Sequence, residues 1–273
     1  MQRDQLETVR EIVRRSKEAT CRLVAVASGK GGVGKTNIAL NLGIALAEQG
    51  QRVLVVDADH NLANVDLLLG VTLPTTLRDV LCGAKSLDEA IHEHECGVRI
   101  LPGSSGLSDF YAGQPSLARW LVEGLGPWRH RLDHILMDTA AGLTVEIVEV
   151  VASADEVLVV TTPEPPAIND AYALVKVLHR ARPELPMHLV LNMVESAQEA
   201  YEVWERFSLV VRHFLQREIP LAGHIVGDWS VPNAVKRQRP LILEYPSAPA
   251  AECIRALAVR LARSAGGPPR CDT

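Results

Sequence analysis

Residues 28–36, S-G-K-G-G-V-G-K-T, combine glycines, two lysines and a hydroxyl in a pattern suited to holding phosphate. From Gly29 to Thr36 the stretch fits G-x-x-x-x-G-K-[ST]. Gly29, Gly31, Gly32 and Gly34 let consecutive backbone N–H groups turn inward around phosphate oxygens without Cβ clashes. Lys35 is placed to reach β- and γ-phosphates, and the Thr36 hydroxyl to ligate Mg²⁺. Val33 and Asn37 complete the nucleotide-contacting stretch at the loop and its exit. A helix starting here adds the attraction of its amino end for anions.

Carboxylates follow at the ends of apolar runs. Asp57 closes the run 53–56 and is followed by Ala58 and Asp59. Strand ends on one edge of a parallel sheet converge on a ligand crevice. Asp57 is therefore expected to hold a metal-bound water and Asp59 to orient an attacking water, while Asp66, further along, reads as a helix cap. The run 134–137 ends at Asp138, expected near the Mg²⁺ ion. Ala140, Ala141 and Gly142 then allow a switch whose backbone N–H approaches the γ-phosphate. Asn192 closes another apolar run.

These side chains need a scaffold with a regular alternation of strands and helices. Apolar strands are expected at 23–27, 53–56, 98–101, 134–137, 157–161, 188–191 and 222–225. Helices are expected at 37–48, 107–123, 145–152, 168–180, 197–216 and 249–263. The pattern predicts an α/β fold, a mostly parallel β-sheet with helices on both faces. The expected division is a helical arm at 1–20, a P-loop ATPase domain at 21–264 and a tail at 265–273. Lys+Arg of 28 against Asp+Glu of 33 leaves a net charge of −5, so no global positive field draws the chain to nucleic acid. Aromatics at 4% are too few for a base-stacking platform. Cys21, Cys82, Cys96, Cys253 and Cys271 form no paired motif, which points to reduced thiols and a cytoplasmic setting. Neither a secretory leader nor an apolar run of membrane-spanning length is apparent.

Lys30 takes the loop beyond the general pattern. The heptapeptide 30–36 is a deviant Walker A signature, and the sequence from about 22 to 262 resembles the MinD/ParA family of dimerising ATPases. The resemblance implies a homodimer closed around ATP and Mg²⁺, with Lys30 crossing the interface to the partner's nucleotide. Closing two subunits over ATP buries phosphate charge, which an extra cation compensates. The resemblance also implies that Asn192 meets the adenine edge and that Asp228, within 225–231, lies in a second base-contacting loop. Residues 57–59 with 62–70, and then 100–106, 161–165 and 170–174, are most similar to the flagellar-number regulators of the family (FlhG, or FleN). His60-Asn61 departs from the usual apolar-glycine pair of the first switch.

In that branch a helix ahead of the ATPase domain docks on the signal-recognition-type GTPase FlhF. Residues 4–10, D-Q-L-E-T-V-R, are similar to it, implying partner contacts by Asp4, Gln5 and Arg10, with Gln5 ordering the GTPase's catalytic water. Flagellar C-ring proteins or a flagellar transcription regulator are further partners implied by the branch. Rival readings are a ParA- or MinD-type ATPase positioning DNA, septum or other cargo, and a non-catalytic ATP-gated adaptor. The run 236–239 reads as a solvated helix end rather than a DNA contact. His92, His94 and Cys96 lack a fourth ligand and read as an exposed loop. The C-terminal helix at 249–263 reads as core-packing, and the tail beyond it is too short to form a membrane-surface helix. The expected location is cytoplasmic, with transient residence at the inner membrane or cell pole.

Overall fold

The computed structural model describes residues 21–59, 64–104 and 117–264. Asp4, Gln5, Arg10, the arm at 1–20, the His60-Asn61 departure, the helix expected from 107 up to 116 and the tail at 265–273 lie outside the described residues.

Apolar runs without alternation make strands that are buried on both faces, and that is how the sheet is built. The strands are β1 (Arg22–Ala27), β2 (Val53–Ala58), β3 (His92–Glu93), β4 (Arg99–Leu101), β5 (His134–Thr139), β6 (Glu156–Thr161), β7 (Met187–Val194) and β8 (Leu221–Val226). They form one eight-stranded sheet in the order β3-β4-β2-β5-β1-β6-β7-β8. All neighbours are parallel except β3, which runs antiparallel to β4. The expected fold class is the one found, with that short edge hairpin added. His92 and His94 therefore belong to a half-buried hairpin rather than an exposed loop. His92 Nε2 lies 2.8 Å from the Thr75 hydroxyl, and His94 Nδ1 lies 2.9 Å from Cys96 Sγ.

The helices are α1 (Lys35–Ala47), α2 (Val65–Leu69), α3 (Leu77–Leu81), α4 (Leu87–Ala90), α5 (Leu117–Gly124), α6 (Val145–Ala152), α7 (Pro165–Ala181), α8 (Ala197–Leu215), α9 (Ser230–Lys236), α10 (Leu241–Glu244) and α11 (Pro249–Ser264). Because side chains alternate across a strand, the sheet feeds two cores. Val24, Val26, Val53, Val55, Leu136 and Leu158 pack beneath α1 and α11. Ala25, Leu54, Val56, Ile135, Met137 and Val157 pack beneath α5, α6, α7 and α8. α1 is buried nearly all round, leaving only Thr36, Asn37 and Ala47 partly open, so its amino end is fixed under the sheet's carboxyl edge. α7 begins at Pro165, three residues before the expected start, because proline's fixed φ and missing N–H suit the first helical turn.

Candidate active site

The phosphate loop leaves β1, the strand between β5 and β6, and enters α1. Gly34 precedes the helix at φ 93°, a left-handed conformation that a side chain strains. A Cβ on Gly29 would collide with the Asp170 carbonyl of α7, so that glycine lets helix and loop touch. The Ser28 hydroxyl donates to the Lys30 carbonyl at 2.7 Å, pinning the loop's first turn. Gly31 and Gly32 face open space, as a loop that admits a ligand must.

β2 and β5 deliver the carboxylates. Asp57 and Asp138 are register partners on these neighbouring strands, and each is 1% exposed. Asp57 accepts the backbone N–H of Asp59 at 3.2 Å, of Asn64 at 2.9 Å and of Val65 at 3.3 Å, so it folds the loop that follows β2. Burial, reinforced by the Asp138 charge, pushes the Asp57 carboxyl up to about 7 despite those donors. Burial likewise lifts Asp138 to about 7, against the opposing pull of the Thr36 hydroxyl and the Lys35 ammonium. Both Asp138 oxygens are sealed from solvent without a well-formed hydrogen bond. A buried carboxylate in that state calls for a cation, and Thr36, Asp57 and Asp138 are the hard oxygen donors that Mg²⁺ takes.

The opposite side of the loop is closed by β6, β7 and β8. Asn192 Nδ2 donates to the Val33 carbonyl at 2.8 Å. Ile225 of β8 is its register partner, and Asp228 follows shortly after. Asp228 accepts the N–H groups of Ser230 at 2.8 Å and Ala250 at 3.1 Å, one oxygen each, and so caps α9 and α11. It borders a cavity of about 520 Å³ walled by Trp229, Tyr245 and Ala248. The loop thus lies between the carboxylates of β2 and β5 on one side and Asn192 of β7 on the other. The end of β5 and the turn after it are tied back, with Gly142 N–H on the Ser28 carbonyl at 3.1 Å and the Thr139 hydroxyl on the Val26 carbonyl at 3.1 Å.

The AAA domain family matches residues 21–191, the stretch that carries the phosphate loop and both aspartates. Antiactivator FleN of Pseudomonas aeruginosa is 38% identical over 240 residues, spanning 88% of this chain and 86% of that protein. The chain belongs to the MinD/ParA-type ATPases, close to FleN. Flagellum site-determining protein YlxH of Helicobacter pylori is 37% identical over 80% of this chain and 74% of its own. The septum site-determining protein MinD of Pyrococcus horikoshii, solved with Mg-ADP, superposes with a TM-score of 0.76 at 30% identity, covering 90% of this chain and 98% of that one.

In this MinD/ParA-type chain the signature lysine is held in cis. Lys30 Nζ lies 3.1 Å from Glu164 Oε2, just ahead of α7. Glu164 lies in the 161–165 stretch marked by the resemblance, but its pairing with Lys30 was not legible, since only the fold brings the two together. Asn41 was also missed. It is 1% exposed, donates to the Asn37 carbonyl and side chain at 2.8 Å, and accepts the Ile242 N–H at 3.0 Å. Asn37, expected at the nucleotide, thus spends its side-chain oxygen inside α1. Asp66 sits in the first turn of α2 and accepts the Leu67 N–H at 2.8 Å. Arg237 and Arg239 of the basic run pair with Glu244. Among the described residues no helix is long and apolar enough to cross a membrane.

Proposed function

We propose that this protein is an ATP-dependent dimerising switch that hydrolyses ATP slowly and governs flagellar number or placement. The observation that carries the reading is the buried Asp138 carboxylate beside Thr36, Lys35 and Asp57 at a phosphate loop, in a chain 38% identical to FleN. Thr36, Asp57 and Asp138 would hold Mg²⁺, which when bound neutralises charge on the β- and γ-phosphates. Lys35 and the loop N–H groups bind the same oxygens. Asp59 orients the water that attacks the γ-phosphorus, giving ADP, phosphate and a proton. Asn192, with the loop around Asp228, fixes the base. Lys30 leaves Glu164 and crosses to the partner's nucleotide, so dimer closure and phosphate binding are one event.

The output runs through the arm at 1–20, with Asp4, Gln5 and Arg10 contacting an FlhF-type GTPase. Flagellar C-ring proteins or a flagellar transcription regulator receive the ATP-bound dimer. The protein works in the cytoplasm and transiently at the inner membrane or cell pole. The test is GTP turnover by the cognate FlhF-type GTPase with and without this protein, run beside Gln5→Ala. Stimulation that Gln5→Ala removes is the expected result. Absence of stimulation from a protein that still dimerises with ATP would falsify the flagellar reading and leave a cargo-positioning switch.

A further inference from the structure

At the end of β7, beside the phosphate loop, one side chain has no part in holding Mg²⁺ or phosphate. Met193 is the exposed position of that strand: it is 50% exposed, whereas Leu191, Asn192 and Val194 around it are buried. Its backbone is left-handed, at φ 59°, where the register with β8 slips between Asn192 and Val194. A side chain rarely adopts that conformation, and such residues gather at functional positions. The neighbours hold it there. Asn192 Nδ2 donates to the Val33 carbonyl at 2.8 Å, and the Gly227 N–H donates to the Val194 carbonyl at 2.8 Å. The thioether end reaches the loop, since a Cβ placed on Gly34 would lie 4.0 Å from the Met193 methyl carbon.

The chain has four methionines. Among the described residues Met137 and Met187 are sealed in the core, so only Met193 offers its sulfur to a reagent in water. A thioether takes one oxygen atom from a peroxide. Sulfur supplies an electron pair, the S–O bond forms as the O–O bond breaks, and hydrogen peroxide's other oxygen leaves with both protons as water. Sulfur is oxidised by two electrons and the peroxide is reduced by two. The product replaces an apolar side chain with a polar one carrying a strong acceptor oxygen. Beside Gly34 that oxygen competes with phosphate oxygens for the loop N–H groups and opposes the charge that the loop is built to hold.

We propose that Met193 is a reversible oxidation site through which peroxide lowers the affinity of the phosphate loop for ATP. This control rests on the loop being the ATP site. It is reversible because methionine sulfoxide reductases return the thioether, with two thiols giving the electrons and the oxygen leaving as water.

The test uses the full chain, treated with hydrogen peroxide and then with dithiothreitol. The thiol returns disulfides and sulfenic acids, at the exposed Cys82 for example, to cysteine and leaves methionine sulfoxide in place. Peptide mass mapping locates the added oxygen, and titration calorimetry reads ATP affinity. The expected result is oxidation at Met193 with ATP binding about tenfold weaker, restored by methionine sulfoxide reductases. Met193→Leu should bind ATP as the parent does and ignore peroxide. Met193→Gln, which carries a polar acceptor without any oxidation, should show the weakened binding from the start with its thermal unfolding unchanged. Three results overturn the proposal: a Met193 sulfoxide form that binds ATP as before, a Met193→Leu protein that loses affinity under peroxide as the parent does, or oxidation of Met193 no faster than that of Met137. A parent that binds no ATP before oxidation overturns the ATP reading of the loop instead.

Discussion

Lys35 is 8% exposed at the start of α1, a burial unusual for a lysine and tolerable where a phosphate is its counter-ion. Lys35→Ala should therefore weaken ATP binding about a hundredfold while leaving the fold intact, as titration calorimetry with ATP and Mg²⁺ would read. Unchanged affinity would sink the site assignment. His134 raises a different question, because it is fully buried with both ring nitrogens unpartnered. Burial first, then the Arg22 charge, lowers it from 6.5 to about 4. Above pH 6.5 the folded and unfolded chains both carry it neutral. As pH falls from 6.5 toward 4 only the unfolded chain takes up the proton, so stability is lost across that window. The loss from this group approaches about 3 kcal/mol. His134→Leu should remove that component, so urea titrations at pH 7 and pH 4.5 should diverge less for the variant than for the parent.

At the scale of elements, two contacts decide how the site is held. Asn41 joins α1 to α10 by accepting the Ile242 N–H, and Asn41→Leu strands that donor in the core. A cost of about 1–3 kcal/mol in urea denaturation is expected. Gly29→Ala pushes the phosphate loop off α7, and nucleotide affinity should drop about tenfold with the far-ultraviolet circular dichroism unchanged. Strands such as β5 and β6 were legible because burial on both faces leaves an unbroken apolar run, and their edges were off by only a residue or two. β3 was not, being a polar edge pair that exists only through its partner β4. α2, α3, α4, α9 and α10 are too short to display a 3.6-residue period. In the site, Lys35, Thr36, Asp57 and Asp138 were readable because motif and strand end coincide in sequence. Glu164 falls in a stretch the resemblance marked, yet its pairing with Lys30 spans 134 positions, and Asn41 is a lone polar residue in the apolar body of α1, so neither contact leaves a local trace.

For the whole molecule, light scattering should show the mass doubling with ATP and Mg²⁺ in the parent and remaining monomeric in Lys30→Ala. A Lys30→Ala protein that still doubles would remove the trans role of that lysine. The strand order carries a further consequence, in the time it takes to make the protein. β1 lies between β5 and β6, and its Arg22 waits for Glu156, a partner 134 positions later. At about 5–20 residues per second the ribosome needs on the order of ten seconds to supply it. For most of that interval, until β5 is made, the apolar strands β1 and β2 lack the neighbour that pairs with both, and until β6 follows β1 keeps one bare edge. A nascent chain halted before β6 gains nothing from nucleotide and presents bare strand edges, which makes that interval the natural point for chaperone capture.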